Sequence, residues 1–413
     1  MKHLKNIKEL VTMQGAHQKD GRSLLPEDLT IIKDASLIID NSNKIVWCGY
    51  TKDLPTEYCA TPSIDCSQYV ITPEIVDSHT HTVFGGNRAF EYTMRLNGAD
   101  YQDIANAGGG ILNTMEKTLT TDSDALFRSA CERIERIHSY GVGTIEIKSG
   151  YALDYEKEKK ITKLIHRLKE QFCGKVQIFN TYLAAHAVPK TFKSSKAYMD
   201  SVVLPLLEEL ATERIVDAVD IFHEQGYFDK EDAISLFDKA KEYGIGIKVH
   251  ADEFNDNGGA SLACQYNALS CDHLLQTSKD GIDELANSST VATILPGTAF
   301  FLGKNLANAR AFLDSGCKVA LASDFNPGSC HCDNLLLIAS LAGKNLNMNI
   351  AEIWAAITLN AAGALGKFDQ GVIDKDMKAK LSVFKTNSLD EIIYSWGRNF
   401  AISPQKALSL EAQ

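Results

Sequence analysis

Residues 75–81 read Ile-Val-Asp-Ser-His-Thr-His, an apolar start that runs straight into a His-x-His pair. The apolar residues suit a buried strand, and the histidines fall where that strand would end. Seven more apolar runs follow: Val142–Lys148, Val176–His186, Val216–His223, Ile245–Ala251, Ala268–His273, Thr290–Leu295 and Lys318–Asp324. Between most of them lie charged segments of helical period, among them Asp122–Tyr140, Tyr155–Phe172 and Asp229–Tyr243. Eight buried strands alternating with helices predict parallel βαβ units, and eight is the number that closes a (β/α)8 barrel. The span 73–366 offers 294 residues for it, room for some extended loops.

The two ends differ from the middle. Ala35–Tyr50 reads as strand, Asn-Ser-Asn turn and strand, and Ser63–Thr72 as a further strand. Gly371–Thr386 carries a Gly-led β pattern, and Leu389–Ile402 is apolar with aromatics. Neither end can bury a core alone, so residues 1–72 and 367–413 are expected to build one composite β domain. The predicted fold is α/β: a TIM-type (β/α)8 barrel with a small β-sandwich domain from both termini.

Composition narrows the function. The 413 residues carry 53 acidic and 42 basic side chains, a net charge of −11, with 45% hydrophobic residues. That is ample core material, and the acidity argues against binding nucleic acid through a general basic surface. The ten cysteines are scattered without a CxxC pair, which suits free thiols in a reducing cytoplasm. The start, MKHLKNIKEL, lacks an apolar signal region, and no apolar run reaches membrane-spanning length. A cytoplasmic protein acting on a small molecule is the expectation.

In such barrels, reactive residues sit where strands end. Those ends hold His79 and His81, Lys148-Ser149-Gly150-Tyr151, His186, His223, His250-Ala251-Asp252-Glu253, Asp272-His273 and Asp324. Six of the chain's eleven histidines are in that set. Residues i and i+2 of a strand face the same side, so His79 and His81 can share one metal. His250 is the natural third nitrogen ligand, and the Asp324 carboxylate completes a site suited to zinc or iron(II). Three His and one Asp leave room for a water that the metal acidifies. Glu253, three residues after His250, is placed to move a proton, or else to serve the dipole of the next helix as a first-turn acid. His273 can donate to an oxygen gaining negative charge, or it is a satisfied core histidine.

Taken in order, these stretches resemble the metal-dependent amidohydrolase superfamily, and within it the imidazolonepropionase family of histidine degradation. The resemblance spans nearly the whole chain. It is carried by VDSHTHTVFGGNRAFEYTMRLNGADYQDIANAGGGIL (residues 76–112), EIKSGYALD (146–154), LAAHAVP (183–189), KVHADEF (248–254), ALSCDHL (268–274) and SDFNPGS (323–329). It implies hydrolysis of 4-imidazolone-5-propanoate to N-formimidoyl-L-glutamate with one divalent metal per subunit, zinc or iron, in a homodimer. By motif, His79, His81, His250 and Asp324 match the metal ligands and His273 the catalytic histidine. Arg88, Tyr151 and His186 match substrate contacts, Glu253 stands beside the reacting water, and Asn326, Gly328 and Ser329 match the loop that touches the product.

The chemistry of the residues agrees. An acid substrate needs a fixed cation, and Arg88 in its Gly-flanked loop offers a bidentate fork. The family commonly has Pro where this chain has Ser78, and Ala379-Lys380-Leu381 replaces the usual Ala-Asp-Leu; neither alters the ligand set. Cys330-His331-Cys332 reads as an incidental cluster rather than a second metal site. Lys148 follows strand two rather than strand four, so a carbamylated-lysine, two-metal reading is set aside. The main rival is an aminohydrolase (deaminase) of a nucleobase-like heterocycle, which would use the same His and Asp set but release ammonia. A non-catalytic relative is expected to have lost ligands, and all four are present.

Overall fold

The computed structural model describes residues 1–99, 103–104 and 107–408. Positions 100–102 and 105–106 of the family stretch at 76–112, and 409–413 of the segment assigned to the β domain, lie outside the described residues.

The strands in chain order are β1 (Lys2–Val11), β2 (Ile31–Ile39), β3 (Ile45–Tyr50), β4 (Ser63–Asp65), β5 (Tyr69–Pro73), β6 (Ile75–Asp77), β7 (Val142–Lys148), β8 (Gln177–Ala185), β9 (Ala218–His223), β10 (Gly246–Ala251), β11 (Ser270–His273), β12 (Val291–Ile294), β13 (Val319–Leu321), β14 (Leu381–Lys385) and β15 (Ala401–Ile402). β6 to β13 form one eight-stranded sheet in sequence order, each pair parallel. All eight apolar runs supply one strand each. The sheet closes on itself just past the strands: His81 N donates to Phe325 O at 2.9 Å, and Asp324 N to His79 O at 3.0 Å. The seam of the (β/α)8 barrel therefore runs through His79, His81 and Asp324, three of the four residues singled out as metal ligands.

The strands are buried on both faces, which is why they read as apolar runs rather than alternating patterns. In β7, Ile145 and Ile147 belong to the apolar core, while Thr144, Glu146 and Lys148 face the other way. Side chains of the second kind fill the barrel interior.

The other sheet has seven strands in the order β15-β14-β5-β1-β2-β3, with β4 beside β1. Its core includes Leu4, Leu10, Leu37, Ile71 and Val383, drawn from both ends of the chain. Two details depart from expectation. Ser63–Thr72 is two short strands rather than one. Tyr69 N turns back onto Cys66 O at 2.9 Å and Ser67 Oγ bonds Asp65 Oδ2 at 2.7 Å. The two halves then pair with opposite ends of β1. Leu389–Tyr394 is a helix that buries Leu389 and Ile392, a spacing of three that serves one helical face.

Candidate metal centre and active site

His79, His81 and His250 offer ring nitrogens that all lie within 4.8 Å of one another, and all three residues are buried. Asp324 Oδ1 stands 3.5 Å from Nε2 of both His79 and His81. Its other oxygen accepts from Thr298 Oγ1 at 2.6 Å, which fixes the carboxylate. Burial holds the imidazoles of His79 and His81 well below their usual pKa, so both are neutral near pH 7. Burial also opposes charge on His250, but the adjoining Asp220 outweighs it and raises the pKa. Nε2 of His79 and Nε2 of His250 are buried with no hydrogen-bond partner. Buried orphan nitrogens beside a carboxylate fit a borderline divalent cation held by N and O donors.

His186 stacks on His81 with ring centroids 5.3 Å apart, and its Nδ1 bonds Gly150 O at 3.0 Å. That contact assigns the Nδ1–H form and leaves Nε2 as the free nitrogen, while burial lowers its pKa to about 4. Tyr151, buried, lies 5.8 Å from the His81 ring and 5.6 Å from His186. Its loop is clamped by Glu158, whose carboxylate accepts from the amides of Gly150, Ala152 and Leu153 at 2.6, 3.0 and 3.0 Å. Gly150 is required twice over: its φ is +108°, and a Cβ would stand 2.5 Å from Leu183 O.

Of the six strand-end histidines, five converge. His223 does not. In β9 the alternation that turns Phe222 toward His250 and His186 turns His223 the other way, where its Nδ1 bonds Phe228 O at 3.1 Å. The same rule should exclude His273, because its neighbour Asp272 already points inward. His273 escapes through a φ of +82°, which swings its ring to 5.1 Å from His250. Asp324 and Asp252 sit at strand ends with φ of +49° and +53°, a concentration of left-handed backbone that suits a functional rim. Glu253 Oε2 is 3.7 Å from His273 Nδ1.

Arg88 is held by Glu91, with Nε and Nη2 at 2.8 and 2.7 Å from Oε2. The guanidinium packs on Gly328, where a Cβ would fall 1.8 Å from Nη1. Arg95 Nη1 donates to Gly328 O at 3.3 Å, so two cations meet this loop. Asn326 shapes it: Oδ1 accepts from the amides of Gly328 and Ser329 at 2.8 and 2.7 Å, and Nδ2 donates to Ser329 Oγ at 2.8 Å. Among the described residues, Cys330-His331-Cys332 forms no three-ligand group. Lys148 Nζ donates to Asp220 and Glu146, two carboxylates that would repel an anionic carbamate. Sequence reasoning missed Glu91, Glu158, Asp220 and Thr298, and passed over Asp272 as a site residue. For Asp220 and Asp272 the available signal was charge inside the apolar runs, in VDIFH and CDH.

No family model matches the chain. An imidazolonepropionase of Bacillus velezensis is 39% identical over 398 residues, covering 96% of this chain and 93% of that protein. The chain belongs to the imidazolonepropionase family. An imidazolonepropionase of Clostridium tetani is 38% identical over 400 residues, 96% of this chain and 94% of its own length. Among solved structures, an atrazine chlorohydrolase from Arthrobacter aurescens, in complex with zinc, superposes with a TM-score of 0.72 at 15% identity. The match covers 97% of this chain and 93% of that one. A guanine deaminase from C. acetobutylicum gives 0.69 at 15% identity, over 95% and 94%. At such identity these two share the barrel fold with the imidazolonepropionase family and nothing finer. As a member of that family the chain is a hydrolase of cyclic C–N bonds.

Proposed function

We propose that the chain hydrolyses the ring C–N bond of 4-imidazolone-5-propanoate to give N-formimidoyl-L-glutamate. The observation that carries this is one cluster of His79, His81, His250 and Asp324 in a chain 39% identical to an imidazolonepropionase over 96% of its length. These four residues would hold one divalent metal, zinc or iron. A metal there supplies Lewis acidity, polarising a carbonyl and acidifying water. Every other task falls to side chains.

Arg88 receives the propionate, with Glu91 fixing the plane of its guanidinium. Tyr151 and His186 contact the ring from the side of the Gly150 loop. Water adds to the ring carbonyl carbon, and His273 donates to the carbonyl oxygen as it gains charge. Glu253, or Asp324, takes the water's proton and passes it to the departing ring nitrogen as the C–N bond breaks. The loop of Asn326, Gly328 and Ser329 then faces the product. Its amides are in part spent on Asn326, so its shape is set before a ligand arrives.

We take residues 73–366 as the catalytic unit and 1–72 with 367–413 as the β unit. A homodimer in the cytoplasm fits the family resemblance, and the ten free thiols suit a reducing compartment. No described helix is long and apolar enough to cross a membrane. The test is turnover of 4-imidazolone-5-propanoate by metal-loaded enzyme, with N-formimidoyl-L-glutamate identified as product. Ammonia release from nucleobase-like heterocycles, with no turnover of the imidazolone, would replace this reading by a deaminase.

A further inference from the structure

Beneath the three histidines the barrel interior is charged. Glu146, Lys148, Asp220, Lys248 and Asp272 are completely buried. Lys148 Nζ donates to Asp220 Oδ2 at 2.6 Å and Glu146 Oε1 at 2.9 Å, and lies 3.7 Å from Asp272 Oδ2. Lys248 Nζ donates to Ser270 Oγ at 2.7 Å and Ser78 O at 3.1 Å. It also lies 3.4 Å from Asp272 Oδ2 and 3.6 Å from Glu146 Oε2. Unpaired, any one of these charges would be severely destabilising at such depth; as a lattice each has its counter-ion.

Two members of the lattice reach upward. Asp272 Oδ2 is 2.6 Å from His79 Nδ1, and Asp220 Oδ2 is 2.9 Å from His250 Nδ1. Asp220 is fixed further by accepting the amides of Ile221 and His250 at 2.7 and 3.1 Å. The two contacts differ: His79 Nδ1 makes a hydrogen bond with Asp272, while His250 Nδ1 meets Asp220 as an ion-pair contact without hydrogen-bond alignment, and His81 Nδ1 is buried with no carboxylate at all.

We propose that Asp272 and Asp220, tied together through Lys148, are positioning residues that hold His79 and His250 as Nδ1–H tautomers with both Nε2 lone pairs aimed at one metal position. The reason is geometric. A ring nitrogen that faces a carboxylate carries the proton, so the opposite nitrogen is left free to ligate, and the ring cannot rotate without losing the hydrogen bond at His79 or the 2.9 Å carboxylate contact at His250. Lys148 lies between two carboxylates that would otherwise repel, and its charge offsets that repulsion at the depth where they are needed. The side chain that sequence spacing offered as a carbamylated ligand therefore acts one layer below the ligands. The proposal rests on the metal-hydrolase reading only for the ion that the histidines face; the tautomers belong to the metal-free protein.

Long-range proton–nitrogen correlation on full-length, metal-free enzyme labelled at histidine, at alkaline pH, reads the tautomers directly. The expected spectrum has His79 and His250 with protonated Nδ1 and bare Nε2. Asp272→Asn should disturb only His79, and Asp220→Asn only His250. Zinc affinity, measured by competition with a chelator, should fall about 10- to 100-fold in each variant. The visible absorption of the cobalt-loaded variants should shift with it. Nε2-protonated His79 or His250 in the wild type would overturn the proposal. So would variants that melt earlier yet bind zinc as tightly as the parent. Should the variants fail to fold, the wild-type spectrum still decides. Absence of imidazolone turnover alongside the expected tautomers and affinities would count against the substrate and leave this arrangement standing.

Discussion

His273 shows how one dihedral angle decides a role. A strand continuing regularly past Asp272 would point His273 away from the centre; its φ of +82° brings it in. A side chain maintained at such backbone cost should matter to the reaction. His273→Ala is expected to lower kcat by about 10²- to 10³-fold, the scale of a lost oxyanion donor, with metal content unchanged. Metal-replete enzyme with near-full turnover would remove His273 from the mechanism. Gly328 makes a second prediction. A methyl group there would stand 1.8 Å from Arg88 Nη1 and push the guanidinium off the loop. Losing one charge-assisted bond, about 1.5–3 kcal/mol, should raise KM for the anionic substrate roughly 10- to 100-fold in Gly328→Ala. Steady-state kinetics beside a melting curve would separate this from a folding defect.

At the scale of elements, the helix Tyr155–Gln171 does more than cover a strand. Its Glu158 collects three buried amides of the loop that carries Tyr151. Glu158→Ala leaves them without an acceptor in the protein, and should cost about 3 kcal/mol or more of stability, read from the urea unfolding midpoint. KM should rise in the same variant because Tyr151 is no longer held. Elements were legible to different degrees. The eight barrel runs were plain because strands buried on both faces are predominantly apolar, even with buried charges such as Glu146 and Lys148 among them. The ends were harder. Leu389–Tyr394 is short, and apolar residues at such a length suit helix or strand alike until a neighbour's face selects one. The break inside Ser63–Thr72 faces the middle of β1, beside its irregularity between Leu4 and Ile7, about sixty residues away in the chain.

For the whole molecule, a net charge of −11 must be reconciled with an anionic substrate. On the proposed reading recognition is local: Arg88 and Arg95 meet at Gly328, and His79, His81 and Asp324, three of the four proposed metal ligands, lie at the barrel seam. Removing the metal with a chelator should abolish turnover and lower the melting temperature, since an ion bound only by the native state stabilises it. That contribution is about 2.7 kcal/mol at a hundred times Kd. Calorimetry with zinc or iron(II) restored would check both effects. An unchanged melting temperature would argue against a bound structural charge at the seam.

The sequence by itself determined the number and order of the barrel strands and marked His79, His81, His250 and Asp324 as the proposed metal ligands, because burial and ligand chemistry restrict residue type at each position. Only the tertiary structure decided which polar residues of those strands face the centre. It turned His223 away, showed the backbone angle that brings His273 in, placed Lys148 among the buried carboxylates, and tied Arg88 to Glu91. These outcomes depend on which strand lies beside which and on the backbone angle at each strand end. Neither is a property of any residue's own neighbourhood in the chain.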